Sequence, residues 1–147
     1  MSASDCIFCA IVAGLAPAAR VFDDDDCLAF MDIQPLARGH VLVIPKRHAE
    51  NLFDLEADEA AAVARTSKQL AHALRTVLEP EGLRLFQLNG AAAGQTVFHY
   101  HTHLLPRNAD EPDVNPAALH GRKPADRAEL EELAGRIRTA LDSHLVS

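Results

Sequence analysis

Three histidines occupy alternate positions in residues 94–107, near the middle of the chain: His99, His101 and His103. On an extended strand, alternate side chains share one face, so this spacing predicts that the three imidazoles project from the same side. A helix would turn them to different sides. Imidazole binds metals and also acts as a nucleophile in covalent catalysis, so both kinds of chemistry are open to this stretch.

The residues just before the histidines favour phosphate chemistry. Residues 90–94 are glycine and alanine, and a loop of such small residues can leave main-chain amides free to bind an anion. Gln95 and Thr96 add an amide and a hydroxyl, and Asn89 adds another amide. Such donors could stabilise charge that develops on a phosphoryl group. We therefore favour a nucleophilic histidine, with His101 at the centre, over a histidine-rich strand that merely faces solvent.

Other candidate residues lie earlier in the chain. Cys6 and Cys9 form a CxxC pair that could bind metal or simply be buried, and the absence of a preceding parallel strand disfavours a thioredoxin-like site. Asp32 follows an apolar strand and could cap a turn or accept hydrogen bonds from a ribose. His40, at the start of another strand, could join the histidine group. Cys27 begins an apolar strand, so burial is expected.

Composition limits the function classes. The chain has 147 residues, a net charge of −7 and a pI near 5.5, which argues against broad nucleic-acid binding. No apolar run approaches the roughly 18 residues of a membrane span, and the N-terminus lacks signal-peptide features. We therefore expect a cytoplasmic protein with a single domain over residues 1–147 and no membrane partner. Neither a Gly-x-Ser-x-Gly elbow nor a Walker sequence is present.

Hydrophobic spacing predicts the elements that must position these groups. A hairpin is expected over residues 20–31, a buried strand over residues 39–45, and a further strand over residues 83–89. Between them, Val63, Leu70, Leu74 and Val77 form one face of a helix from about Asp54, its expected cap, to about Glu79, with Pro80 and Gly82 ending it.

The histidine strand comes next, followed by an irregular connection over residues 108–123. Pro124 is expected in the first turn of a final helix with the apolar stripe Leu130, Leu133, Ile137 and Leu141. The predicted fold class is α+β, an antiparallel sheet of about five strands with one long central helix and a C-terminal helix. His120 and His144 are expected at the surface.

The segment from His99 to His103, with the two leucines that follow it, resembles the histidine-triad (HIT) motif, in which histidines alternate with apolar residues. The resemblance extends over residues 5–107 and includes the CxxC pair and the Gly-Gln-Thr-Val before the triad. It points to histidine-triad nucleotide-binding proteins, near the bacterial nucleoside phosphoramidases. Thr102 departs from the motif's apolar position, and residues 108–147 resemble nothing recognisable.

This resemblance implies hydrolysis of nucleoside monophosphate derivatives, such as phosphoramidates, at the α-phosphate through a nucleotidyl-histidine intermediate. His101 matches the nucleophile, His103 its phosphate-contacting neighbour, and His40 belongs to the same histidine network. Gln95 and Thr96 match groups at the scissile phosphate, Asn89 matches a phosphate contact, and Asp32 matches the ribose-binding carboxylate. The purine slot is matched by Ile7, Phe8, Ile11, Phe30 and Ile33, although Ile11 could equally be core.

The resemblance also implies a structural zinc ion, a purine nucleotide ligand of the AMP or GMP type, and a homodimer. The residues matched to the zinc ligands are Cys6, Cys9, His48 and His99, a closed tetrahedral set. No catalytic metal is expected.

Two alternatives remain. The Gln-Thr-Val before the triad and the Leu-Pro-Arg after it also resemble dinucleoside polyphosphate hydrolases. From a different class, the chain could be a nucleotide-binding or zinc-stabilised interaction module whose catalysis is incidental. A third histidine at His103, where related transferases have glutamine, favours hydrolysis over transfer.

Overall fold

Five antiparallel strands form one sheet in the order β1-β2-β3-β5-β4. The computed structural model describes residues 3–115 and 122–146. The strands are β1 (Arg20–Asp23), β2 (Cys27–Met31), β3 (Val41–Pro45), β4 (Gly82–Gln87) and β5 (Thr102–Arg107). The helices are α1 (Ile7–Val12), α2 (Ala57–Leu78) and α3 (Arg127–Val146), with short 3₁₀ turns at Ala3–Asp5 and Ala91–Ala93. The predicted α+β class is confirmed.

One face of the sheet is covered by α2 and α3. Strand residues Ala29, Val43 and Leu104 point to this side and pack with Leu70 and Leu74 of α2 in one core cluster. The predicted apolar stripe of α3 joins them, since all four of its members are buried. This layer contains most of the core and fixes the strands that carry the site.

The opposite face carries a smaller apolar cluster beneath α1. Leu28 and Phe30 of β2 and Leu42 and Ile44 of β3 point to this side, where they pack with Phe8 and others. His103 lies opposite Leu42 in the strand register and therefore belongs to this face as well. The α1 side of the sheet is thus where apolar strand ends meet a histidine.

The prediction that all three histidines share a strand is wrong. β5 begins at Thr102, so only His103 is a strand residue, and His99 and His101 lie in the irregular segment before it. Continuing the β3–β5 register would place Ile44 opposite His101 and Pro45, which has no N–H to extend the ladder, opposite Tyr100. The Pro45 carbonyl instead accepts a hydrogen bond from His99 Nε2 at 2.7 Å.

The ends of both long helices also differ from the prediction. Glu56, not Asp54, caps α2, in a reciprocal capping box with Glu59. Glu79 ends that helix in a left-handed conformation with φ +48°, while Gly82 starts β4. α3 begins at Arg127 instead of Pro124, because Asp126 accepts a hydrogen bond from the Ala128 amide and caps its first turn.

Within the residues described, no helix is long and apolar enough to cross a bilayer. The predicted surface position of His120 falls outside the described residues, as does the side chain of His144.

Candidate active site and metal centre

A cavity of about 390 Å³ opens on the α1 side of the sheet. That volume lies in the range of small-molecule sites. Its lining includes all five residues matched to the purine slot, Ile7, Phe8, Ile11, Phe30 and Ile33. Asp32, Thr96, His101 and His103 also line it, so an apolar slot, a carboxylate, a hydroxyl and two imidazoles share one space.

His101 has a defined tautomer. Its Nδ1 lies 2.7 Å from the main-chain oxygen of His99, and a carbonyl oxygen can only accept, so Nδ1 carries the proton. The Nε2 lone pair is then available to an electrophile. His99 therefore assists His101 through its carbonyl, while its own ring turns elsewhere. The Phe8 ring packs nearly at right angles to the His101 ring, with 5.2 Å between the two ring centroids, and holds it in place.

His103 ends a directed chain of hydrogen bonds. The Leu36 amide donates to His40 Nδ1 at 3.1 Å, so the proton of neutral His40 is on Nε2. His40 Nε2 lies 2.9 Å from His103 Nδ1 and donates to it, which places the His103 proton on Nε2. That Nε2 is buried without a hydrogen-bond partner, on a residue that lines the cavity. A buried unpaired donor suits an oxyanion there.

Burial keeps these imidazoles neutral. It lowers the pKa of His40 to about 3 and that of His103 to about 2, with further lowering from nearby histidines and Arg122. The pKa of His101 is also lowered by burial. Asp32 Oδ2 is 3.6 Å from His40 Nδ1, but a neutral His40 that accepts from Leu36 does not form an ion pair with it. The site thus combines a neutral nucleophile with a neutral donor.

Asp32 is held at the edge of the cavity. Its Oδ1 accepts a hydrogen bond from the Gln34 amide at 2.9 Å, which is the turn-capping role that its sequence position allowed. Burial raises the pKa of its carboxyl, while the Gln34 bond and the charge of Arg122 lower it. Its second oxygen remains available to a hydroxyl-bearing ligand.

Four side chains meet beside the cavity and could hold a metal: Cys6, Cys9, His48 and His99. His99 donates from Nε2 to Pro45, so its Nδ1 lone pair faces Cys6 Sγ at 3.4 Å and Cys9 Sγ at 3.5 Å. His48 Nδ1 is 3.3 Å from Cys9 Sγ. A tetrahedron with the usual zinc–sulfur and zinc–nitrogen lengths has S···N edges of about 3.6 Å. The donor set therefore fits zinc in chemistry and in spacing.

Comparison with protein-family models identifies a match over residues 13–110 to the HIT domain. The chain belongs to the HIT family. HIT proteins form a superfamily of nucleotide-binding hydrolases. The five-stranded sheet, with the triad just before and at the start of β5, agrees with that membership.

Relatives with names and structures extend the comparison. The HIT protein of Bacillus subtilis called Protein hit is 46% identical over 105 residues, covering 71% of this chain and 72% of that protein. An adenylylsulfatase of Arabidopsis thaliana is 38% identical, covering 71% of this chain and 53% of that protein. A zinc-bound histidine-triad family protein of Mycobacterium smegmatis has a crystal structure that covers 97% of this chain and 96% of its own, with 38% identity and a TM-score of 0.81.

Two residues matched to phosphate contacts in HIT proteins lie off the cavity lining. Gln95 is buried, and its amide accepts from the Gly90 amide and donates to the carbonyls of Glu50 and Val97. Asn89 is bonded reciprocally to the Gln87 amide and accepts from the Leu52 amide. Both side chains hold loops together in this structure, and their predicted contacts with phosphate stay predictions.

Sequence reasoning missed Gln34, which lies ahead of the triad, and three lining residues that follow it. Gln34, Arg122, Arg127 and Leu130 line the cavity together with the predicted residues. Only Leu130 had a detectable signal, its place in the α3 stripe. A single arginine in an irregular connection has no periodicity from which to infer its position.

Acid is expected to destabilise this fold through His40 and His103. Their pKa values lie below the usual 6.5, so the unfolded chain gains protons below about pH 6.5 that the folded chain does not. The free energy of unfolding should therefore fall as the pH drops from about 6.5 to 3, by up to about 1.4 kcal/mol per pH unit for each group.

In His103→Gln, the unfolding free energy should depend less steeply on pH, because the contribution of about one proton to the slope is lost. The slope is measured by urea unfolding at several pH values between 4.5 and 7. Protonation of the cysteine and histidine cluster is common to both proteins and cancels in the difference. A slope equal to the wild type would show that His103 is not held neutral.

Proposed function

We propose that this HIT protein hydrolyses nucleoside monophosphate derivatives, phosphoramidates foremost, at the α-phosphate through a nucleotidyl-histidine intermediate. The carrying observation is the pair of imidazole atoms in one cavity: His101 Nε2 with a free lone pair and His103 Nε2 with an unpaired proton. Beside them, the apolar slot would take the purine, and Asp32 would accept hydrogen bonds from the ribose.

The reaction would take two steps. In the first, the His101 Nε2 lone pair forms a bond to the α-phosphorus and the phosphorus–nitrogen bond breaks, its electron pair leaving with the amine, which takes up a proton. In the second, water attacks phosphorus, the bond to Nε2 breaks, and the water proton is released. His103 Nε2–H would stabilise the phosphoryl oxygens in both steps, because its donor is already oriented before charge develops.

Zinc is proposed as a structural ion held by Cys6, Cys9, His48 and His99. When bound, it would tie the N-terminal segment to the residues just before β5. The fit of the donor set supports this, as does the zinc-bound HIT relative. No reaction step is assigned to it.

The test of the function is AMP release by the wild type from adenosine 5′-phosphoramidate, followed by chromatography, with diadenosine tetraphosphate in parallel. Faster turnover of the phosphoramidate supports the proposal. Preference for the polyphosphate would favour the dinucleoside polyphosphate hydrolase. AMP binding without turnover of either substrate would favour a nucleotide-binding interaction module.

A homodimer through the β4 edge is also proposed. β4 ends the sheet, and its side chains Leu83 and Leu85 are 37% and 56% exposed. Leu52 and Phe53, 50% and 88% exposed, lie in a loop that is bonded to Asn89 just beyond β4. A strand whose outer edge is unpaired and which carries exposed apolar residues is typical of a protein–protein contact.

Leu85→Glu is expected to convert the dimer to a monomer, because a carboxylate would be buried unpaired at the contact. Light scattering after size-exclusion chromatography measures the mass directly. Leu15→Glu is the matched control, since Leu15 is 84% exposed and lies outside β4. A dimer that survives Leu85→Glu would place the contact on another surface.

A further inference from the structure

Arg122 reaches the cavity beside Asp32, the carboxylate proposed to bind the ribose. Two hydrogen bonds tether its segment to the residues that follow Asp32. Gln34 Nε2 donates to the Arg122 carbonyl at 2.9 Å, and the Ala125 amide donates to the Ile33 carbonyl at 2.7 Å. The Arg122 side chain lines the same cavity as Asp32, and its charge opposes the rise in the pKa of the Asp32 carboxyl that burial causes. The guanidinium and the carboxylate are therefore close enough for their charges to interact.

Both groups have hydrogen-bonding atoms without a partner. Nε and Nη1 of Arg122 are inaccessible to solvent and have no acceptor among the residues described, so the guanidinium does not pair with Asp32 through them. Asp32 Oδ1 accepts from the Gln34 amide, and Oδ2 lies 3.6 Å from His40 Nδ1, which is itself an acceptor for the Leu36 amide. Leaving charged groups buried and unpaired is costly, so the two together point to a ligand that satisfies both.

The opposite charges of Arg122 and Asp32 restrict the kind of group that can satisfy both. Asp32, His40 and His103 are spaced closely enough to hold a metal ion, but the charge of Arg122 would repel a cation there. An anion would pair with Arg122 but would be repelled by Asp32 and would leave its oxygen unpaired. A neutral hydroxyl has one O–H to donate and lone pairs that accept, so it can donate to the carboxylate and accept from the guanidinium at once.

We propose that Arg122 is a second ribose-binding residue: the ribose hydroxyl that donates to Asp32 Oδ2 also accepts a hydrogen bond from the Arg122 guanidinium. The inference rests on the proposed function, because this ribose belongs to the nucleotide whose α-phosphate reacts at His101. Asp32 alone selects for a donor, whereas the two residues together select for a group that both donates and accepts. Arg122 therefore adds discrimination against nucleotides that lack this hydroxyl.

A phosphoryl oxygen is the competing acceptor for the guanidinium. The charge of Arg122 also lowers the pKa of His40 and of His103, although burial is the main cause of both shifts. Two observations favour the ribose. The tethers fix the Arg122 backbone to the residues directly after Asp32, and His103 Nε2 already presents a donor to the phosphoryl group.

The test measures binding of AMP, 2′-deoxy-AMP and 3′-deoxy-AMP by titration calorimetry, because binding reports on the ribose without requiring turnover. Discrimination is the Kd of a deoxy analogue divided by the Kd of AMP. In Arg122→Met, which keeps an apolar stem without the donors, the larger of the two discriminations should fall by about tenfold to a hundredfold, the range for one charge-assisted hydrogen bond. Arg122→Lys keeps a charged donor without the fork and should retain part of the discrimination. Arg65→Met, the same change at an exposed position of α2, should leave it unaltered.

The outcomes separate this inference from the function beneath it. Equal losses of affinity for all three nucleotides in Arg122→Met would place the guanidinium on the phosphate and overturn the ribose contact, as would a wild type that binds all three equally. Turnover of adenosine 5′-phosphoramidate would keep the proposed function in either case. Discrimination that depends on Arg122 in a protein without turnover would support the ribose contact and overturn the hydrolysis.

Absence of AMP binding by the wild type would overturn the function and this inference together. The thermal unfolding midpoint of each variant shows whether lost discrimination comes from a folded protein. If Arg122→Met does not fold, discrimination equal to the wild type in Arg122→Lys would overturn the ribose contact, because an ammonium group cannot reproduce the fork.

Discussion

His101→Ala is expected to lower AMP release from adenosine 5′-phosphoramidate by about 10⁴-fold or more, since loss of a covalent nucleophile removes the reaction path itself. No neighbouring imidazole can take its place. His103 presents a proton to the cavity because its Nδ1 accepts from His40. The ring of His99 faces Cys6 and Cys9 instead of the cavity.

The measurement is single-turnover and steady-state AMP release from purified wild type and variant. His101→Gly with added imidazole provides a second arm, because a free imidazole in the vacated space should restore part of the turnover. His72→Ala, a change at an exposed position of α2, is the control for loss of a histidine. Turnover near the wild-type rate in His101→Ala would contradict the proposed nucleophile.

Loss of the proposed structural zinc ion is expected to produce the largest change in stability. Cys9→Ser should abolish zinc content and lower the thermal midpoint by about 10 °C, because metal bound only by the folded chain adds its binding free energy to folding. Burial and the neighbouring Cys6 raise the pKa of the Cys9 thiol to about 11 without metal, a cost that thiolate–zinc bonding would offset.

Metal analysis gives the stoichiometry, expected to be one zinc per chain, and calorimetry gives the midpoint with and without chelator. Cys27→Ala is the matched control, because Cys27 is a fully buried thiol in the other core cluster. This variant should retain zinc. Equal midpoints for wild type with and without chelator, or zinc retained in Cys9→Ser, would refute a structural metal at these residues.

Local patterns predicted the strands and the α3 stripe, because alternation and helical spacing report directly on which side chains are buried. The five residues of the slot were found through motif resemblance, and they line one cavity because β2 and α1 face each other. The strand assignment of His99 and His101 failed for a non-local reason: it depended on Pro45, a residue of another strand. Arg122 was missed because its position follows from tethers to Ile33 and Gln34, which no local spacing encodes.

The donor chain that ends at His103 begins at a main-chain amide, so the orientation of its protons is independent of the identity of the Leu36 side chain. Nineteen of the twenty amino acids provide the same N–H at that position, and proline alone does not. Substitutions at position 36 can therefore change the local packing, while the backbone amide keeps the protons of His40 and His103 on the same nitrogens. A comparison of side chains would record such a position as unimportant, although its peptide group decides which ring nitrogen of His40 and of His103 carries the proton.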